Sequence, residues 1–85
     1  MPETTPTALA FGTILRKRRK KRGLTQEDLA EAADVHWKYI SLLERGLRQP
    51  SLDVLLRLAK SLDASASELV AEVEQDMGTS DSGAF

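Results

Sequence analysis

The stretch from Thr25 to Gly46, TQEDLAEAADVHWKYISLLERG, constrains this chain more than any other. It reads as two short helices joined by a tight turn. Thr25 is a good N-cap and Asp28 stands three residues on, a capping box with Asp in place of the usual Glu or Gln. Leu24 and Leu29 fall at the N′ and N4 positions of a hydrophobic staple. Leu29, Ala30 and Ala33 continue at helical spacing, and the helix is expected to stop near Asp34, because aspartate tolerates a left-handed backbone better than most residues. A second helix runs from about His36 to Arg45, with Gly46 at the C′ position that ends it. On a helical projection of this second segment, Ile40 and Leu43 point one way. Lys38, Ser41, Leu42 and Arg45 point the other, with Trp37 on the flank. Its only acid, Glu44, lies toward the inner side. An outward face with a cation, a hydroxyl, an aliphatic chain and a guanidinium, and no carboxylate, suits a helix that enters a DNA major groove.

Eighty-five residues make one small domain, and a chain of this size buries only about 60% of its unfolded surface. Helices with short loops are an economical solution, and dimerisation would add burial. There is no cysteine, hence no disulfide framework and no thiolate metal site. No apolar run approaches the roughly 20 residues of a membrane span, and the N-terminus has no secretory pattern. The expectation is a cytosolic protein that does not engage a membrane. The net charge of −1 argues against a general nucleic-acid coat. Its distribution is more informative: residues 8–50 hold ten Lys/Arg against five Asp/Glu, and residues 51–85 hold two against seven. One half attracts phosphate while the other stays away from it.

Met1 to Thr7 reads as a flexible N-terminal arm, with Thr7 as N-cap of a first helix over Ala8 to Arg22 that Gly23 ends. Phe11, Ile14 and Leu15 form its apolar stripe. Seven consecutive cations follow, Arg16 to Arg22. Most read as a solvated surface or as a phosphate-facing edge, favoured by the macrodipole near the helix C-terminus. Pro50 restrains the loop after Gly46, and Ser51 caps a fourth helix whose buried stripe is Leu52, Leu55, Leu56, Ala59 and Leu62, with Leu58 on a neighbouring edge. Ser65 and Glu68 form another capping box, opening a fifth helix that ends about Glu74 and carries Leu69, Val70 and Val73. Residues 75–85 are rich in Gly, Ser and Asp without periodicity, a disordered tail.

Three segments in order, GLTQEDLA (Gly23 to Ala30), YISLLERG (Tyr39 to Gly46) and QPSLDVLLRLAKSLDAS (Gln49 to Ser65), make residues 9–73 resemble the helix-turn-helix family of the phage repressors and Cro, the XRE family. The resemblance implies an all-α, five-helix repressor-like domain over residues 8–74 that binds double-stranded DNA as a homodimer. It implies a structural ion pair between Arg19 and Glu44, a phosphate contact from Gln26, and dimerisation through residues of about 60–74, here Leu69, Val70 and Val73. Two positions depart from the family pattern. Asp34 stands where the turn usually has Gly, and His36 stands where many relatives cap with Ser. Arg18 occupies a position often held by leucine, where its stem can cover the core while its head reaches water.

Phosphate and base contacts do different jobs. Candidates for phosphate are Thr25, Gln26, Tyr39, Arg45 and Arg48, with Tyr39 equally suited to the edge of the core. Candidates for bases are Trp37, Lys38 and Ser41, then His36 and Leu42. Trp37 either faces DNA or folds back over the preceding helix. The lone histidine argues against a metal site. Without a cysteine, a clustered acid–base set or a Gly-rich phosphate loop, neither an enzyme nor a cofactor is expected. The leading reading is a homodimeric transcriptional regulator of a near-palindromic operator: a phage-type repressor, a restriction–modification controller or a regulator of a neighbouring gene. The alternative is an antitoxin or protein-interaction module of the same fold.

Overall fold

The computed structural model describes residues 4–78. Among them run five helices and no strand: α1 (Pro6–Lys21), α2 (Gln26–Ala33), α3 (Trp37–Glu44), α4 (Leu52–Ser61) and α5 (Ala66–Asp76). Residues 1–3 of the expected arm and 79–85 of the expected tail lie outside the described residues.

The first helix starts earlier than the sequence suggests. Thr5, not Thr7, is its N-cap, and the Thr5 hydroxyl accepts the Ala8 N–H at 3.0 Å. Pro6 then sits at N1, where a missing N–H costs nothing and a fixed φ suits the first turn. At the other end of the chain α5 runs past Glu74 to Asp76. Both capping boxes form: Thr25 with Asp28 and Ser65 with Glu68. The N–H groups of Thr25 and Ser65 hold the Asp28 and Glu68 carboxyls below the usual carboxylate range.

Helices α1 to α4 all stop in the same way. A residue in the left-handed region follows each one: Gly23, Asp34, Gly46 and Asp63. The N–H groups just beyond then turn back to free carbonyls of the last turn, as from Leu24 to Arg19 (3.1 Å), Val35 to Ala30 (3.0 Å), Leu47 to Leu42 (3.0 Å) and Ala64 to Ala59 (2.9 Å). At Asp34 the left-handed backbone (φ 58°) is therefore adopted without glycine. Arg57 of α4 supports it, donating from Nη1 to the carbonyls of Ala33 (3.0 Å) and Asp34 (3.1 Å). A cation at a helix C-terminus also meets the negative end of the macrodipole.

The core gathers Leu15, Leu29, Ile40, Leu43, Leu58, Leu62 and Leu69, all fully buried. Helix α3 is held on it between α1 and α2. The expected stripe of α4 needs correction. Leu58 is fully buried, whereas Leu52 and Leu56 are 71% and 52% exposed. The inner face runs through Leu55, Leu58, Ala59 and Leu62, rotated by roughly 45° from the expected one. This turn places Leu58 and Ala59 in the cluster with Leu29, Ala33 and Leu69. Helix α5 divides likewise: Leu69 and Val73 are buried in the core, and Val70 stays 43% exposed. Leu69 thus has no surface to offer a second subunit.

Candidate nucleic-acid interface

The outward side of α3 is built by what anchors its inward side. Ile40 and Leu43 seat it in the core, and Glu44 is drawn away from the outer face into an ion pair with Arg19. Arg19 Nε and Nη2 donate to Glu44 Oε2 and Oε1 at 2.6 and 3.0 Å, and Nη1 donates to the Leu24 carbonyl at 2.8 Å. Gln26 Nε2 donates to the same Glu44 Oε1 at 3.1 Å. Arg19 is only 8% exposed, and its bond with Glu44 raises the guanidinium pKa further while burial opposes the shift. The pair locks the end of α1, the start of α2 and the end of α3 into one unit. Gln26, expected at phosphate, belongs to this unit; one amide hydrogen is committed to Glu44 and the side chain remains half-exposed.

His36 caps α3. Its Nδ1 accepts the Lys38 N–H at 3.1 Å, so in the neutral ring the proton sits on Nε2. Imidazole thereby does what a serine hydroxyl does at an N-cap. The ring also stacks on Trp37, centroids 6.0 Å apart. Trp37 is 44% exposed and lines a shallow cleft with Leu24, Thr25, Gln26 and Glu27. It therefore borders the start of α2 without being buried there. Lys38 is exposed beside it, and Ser41 and Leu42 are half-exposed.

The remaining candidates flank this face. Arg45, the C-cap of α3, is exposed and reaches back from Nε to the Ser41 carbonyl at 3.4 Å. Arg48 is exposed in the loop. Of the two roles weighed for Tyr39, the structure shows the core-edge one: its ring packs against the core, and its hydroxyl donates to the Gln49 carbonyl at 3.4 Å. Its proton is thus occupied in the free protein. Gln49 also donates to Thr5 Oγ1 at 3.1 Å, tying the loop to the start of α1. Thr25 is exposed at the mouth of α2, its hydroxyl accepting the Asp28 N–H at 2.9 Å.

Sequence reasoning missed Gly12 and Arg57, and it sent the head of Arg18 to water rather than to a partner. Gly12 lets α1 touch the end of α3: a Cβ there would stand 2.5 Å from the Leu43 carbonyl oxygen and 2.6 Å from that of Glu44. Arg57 clamps the turn between α2 and α3. Arg18 pairs through Nε with Glu72 Oε1 of α5 at 3.2 Å and through Nη2 with Glu72 Oε2, holding the Glu72 carboxyl below the usual range. A glycine inside an amphipathic helix was the available signal for the first. Among the described residues no group of His, Cys, Asp and Glu is arranged to hold a metal ion, and no helix is long and apolar enough to cross a membrane.

Comparison with known proteins agrees with this geometry. The helix-turn-helix family model matches residues 15–69. An uncharacterised helix-turn-helix transcriptional regulator of Mycobacterium tuberculosis, Rv0474, is 43% identical over 58 residues, covering 68% of this chain and 41% of its own. The chain thus spans about two fifths of that relative. Among solved structures, the clp gene regulator ClgR of Corynebacterium glutamicum superposes with a TM-score of 0.82 at 33% identity, covering 89% of this chain and 81% of its own. The restriction–modification controller protein C.Esp1396I, solved as a tetramer in complex with its natural 35 base-pair operator, superposes with a TM-score of 0.75 at 27% identity, covering 84% and 93%. With two thirds of its length matched by the family model and the same five-helix fold, the chain belongs to the helix-turn-helix family of transcriptional regulators, of the XRE type.

Proposed function

We propose that the chain is a sequence-specific DNA-binding transcriptional regulator of the restriction–modification controller or repressor kind, acting in the cytoplasm as a homodimer on a near-palindromic operator. The observation that carries this reading is the outer face of α3. Lys38, Ser41, Leu42 and Arg45 line it, and Glu44, the acid of α3, is withdrawn into the pair with Arg19. Trp37, Lys38 and Ser41 are the base-reading residues, with His36 and Leu42 at the margins; lysine donates to guanine O6 and N7, and indole and leucine suit a thymine methyl. Thr25, Gln26, Tyr39, Arg45 and Arg48 flank them and contact phosphate. The controller protein solved on its operator supports the same assignment by likeness of fold.

Selection of binding sites from random duplex DNA tests this reading. A palindromic winner with half-sites about 34 Å apart is the expected result. Enrichment of no sequence would refute it. On the winner, Lys38→Ala is expected to cost about 1–3 kcal/mol and to relax discrimination at one position, whereas Arg45→Ala weakens all duplexes alike and flattens the salt dependence. Equal effects of the two changes on selected and random DNA would sink the division of roles.

The dimer contact moves from Leu69 to the apolar side chains left outside: Leu52 and Leu56 on α4 and Val70 on α5. Val70 also lines an apolar hollow with Phe11, Leu55 and Val73, bordered by Thr7, Gln49 and Pro50. A second copy is the occupant that the operator's expected two-fold symmetry requires. Val70→Asp is expected to convert the dimer to a monomer in sedimentation at tens of micromolar and to leave the melting temperature of the monomer little changed. A wild-type chain that sediments as a monomer at that concentration refutes the dimer.

A further inference from the structure

The seven consecutive cations of α1 separate by partner. Arg18 is tied to Glu72, Arg19 to Glu44 and Arg22 to Asp63, so acids from three other parts of the chain neutralise them. Lys17 and Lys21 lie on the side of α1 that faces Glu72, and both help to hold its carboxyl charged. Arg16 and Lys20 are different. All four of Arg16, Lys17, Lys20 and Lys21 are exposed and make no ion pair among the described residues, but Arg16 and Lys20 lie on a different side of the helix and do not act on the Glu72 carboxyl.

Their position follows from helix geometry and three contacts. Gly12 lies against the Leu43 and Glu44 carbonyls at the end of α3, Leu9 touches Gly46, and Arg19 holds Glu44. Arg16 stands between Gly12 and Arg19 in sequence and is turned only about 40° from Gly12 around the helix axis, with Lys20 about 80° away on the same side. Lys17 and Lys21 lie about 140–180° from Gly12, on the opposite side. Arg16 and Lys20 thus border the end of α3. This is also the flank of α3 on which Gln26 and Trp37 sit, since Gln26 shares Glu44 with Arg19 and Trp37 lines the cleft that Arg19, Thr25 and Gln26 enclose. The Glu44 carboxylate on this flank is occupied by Arg19 and Gln26, so it does not cancel the two free cations.

We propose that Arg16 and Lys20 form a phosphate-binding edge outside the helix-turn-helix itself, extending the contact of the α2 N-terminus along the same DNA strand. Arg18, Arg19 and Arg22 then have structural work, and Arg16 and Lys20 supply sequence-independent affinity. The inference rests on the DNA-binding reading above.

The test compares two double variants of equal charge loss, Arg16→Gln with Lys20→Gln and Lys17→Gln with Lys21→Gln. Binding is titrated on selected and random duplex across a range of salt. Each phosphate contact contributes about 0.9 to the slope of log affinity against log salt. The Arg16/Lys20 double is expected to lower the slope by about two and to weaken both duplexes by the same factor, and the Lys17/Lys21 double to leave the slope within about half a unit. Equal loss in the two doubles means a general field and overturns the proposal, as does an unchanged slope in the Arg16/Lys20 double while the wild type binds. A wild type that binds no duplex overturns the DNA reading and this inference together. All four side chains are exposed, so circular dichroism melts serve as a control that both doubles fold.

Discussion

Glu44→Ala is expected to destabilise the domain by about 3 kcal/mol, the cost of leaving a buried charge without its partner. The side chains of Arg19 and Glu44 are 9% and 2% exposed. Removing the carboxylate leaves the Arg19 Nε and Nη2 protons without acceptors and takes away the acceptor of the Gln26 amide. Only the Nη1 bond to the Leu24 carbonyl survives. Small domains hold about 5 kcal/mol or a little more, so the loss is a large fraction of the total. At about 4–8 °C per kcal/mol for a domain of this size, the melting temperature should fall by more than 10 °C. The double variant Arg19→Met with Glu44→Leu separates the value of the pair from the cost of breaking it, because replacing both charges by apolar groups is often close to neutral. The double is expected to melt well above Glu44→Ala. A Glu44→Ala protein within about 0.5 kcal/mol of wild type, the range of an ordinary surface substitution, would refute the account.

The same pair shows why part of the fold was legible in the sequence and part was not. Most local signals are short-range chemistry and read correctly: the two capping boxes, the glycine stops after α1 and α3, and the left-handed Asp34 all depend on residues within one turn of each other, although the cap of α1 fell on Thr5 rather than Thr7. The Arg19–Glu44 pair, 25 residues apart, was reachable only through resemblance to a family. Arg18–Glu72 and the Arg57 clamp on α2 had no such support, because nothing in a linear pattern says which cation meets which acid 54 residues away. The α4 stripe failed for a related reason. Leu52, Leu55, Leu56, Leu58 and Leu62 offer two overlapping apolar faces, and periodicity alone does not choose between them. The choice is made by Leu29, Ala33 and Leu69 on neighbouring helices, which accept Leu58 and Ala59. The outcome alters the proposed dimer contact, since it leaves Leu52 and Leu56 on the surface. On the candidate interface, the sequence separated outer from inner residues of α3 correctly. It did not foresee that Gln26 would share Glu44 or that the Tyr39 hydroxyl would turn to Gln49.

Gly12→Ala should be at least as damaging as the loss of Glu44, although it adds a single methyl group. In an exposed helix interior the change would gain nearly 1 kcal/mol of helix propensity. Here the added Cβ would meet the Leu43 oxygen at 2.5 Å, the Glu44 oxygen at 2.6 Å and the Glu44 carbonyl carbon at 2.9 Å. All three are backbone atoms, so no side chain can rotate away, and relief requires α1 and α3 to separate. Separation strains what surrounds the contact: the Arg19–Glu44 bonds about two turns further along α1 and the seat of Gly46 against Leu9. Overpacking of a core costs about 1–3 kcal/mol and occasionally more, and a backbone-to-backbone clash belongs at the upper end. Function should suffer beyond stability, because the end of α3 is what moves. In the fraction that remains folded, Gly12→Ala is expected to lose discrimination between selected and random duplex more than it loses binding to random duplex. The reason is that base contacts depend on the seating of α3, whereas phosphate contacts from flexible cations adapt. Thr13→Ala, at an exposed site of the same helix, is the control for helix propensity and should stay near wild type in both measurements. A Gly12→Ala protein as stable as that control would mean that α1 and α3 have slack where the structure has none. The close approach of the two helices would then not be what holds the recognition helix in place.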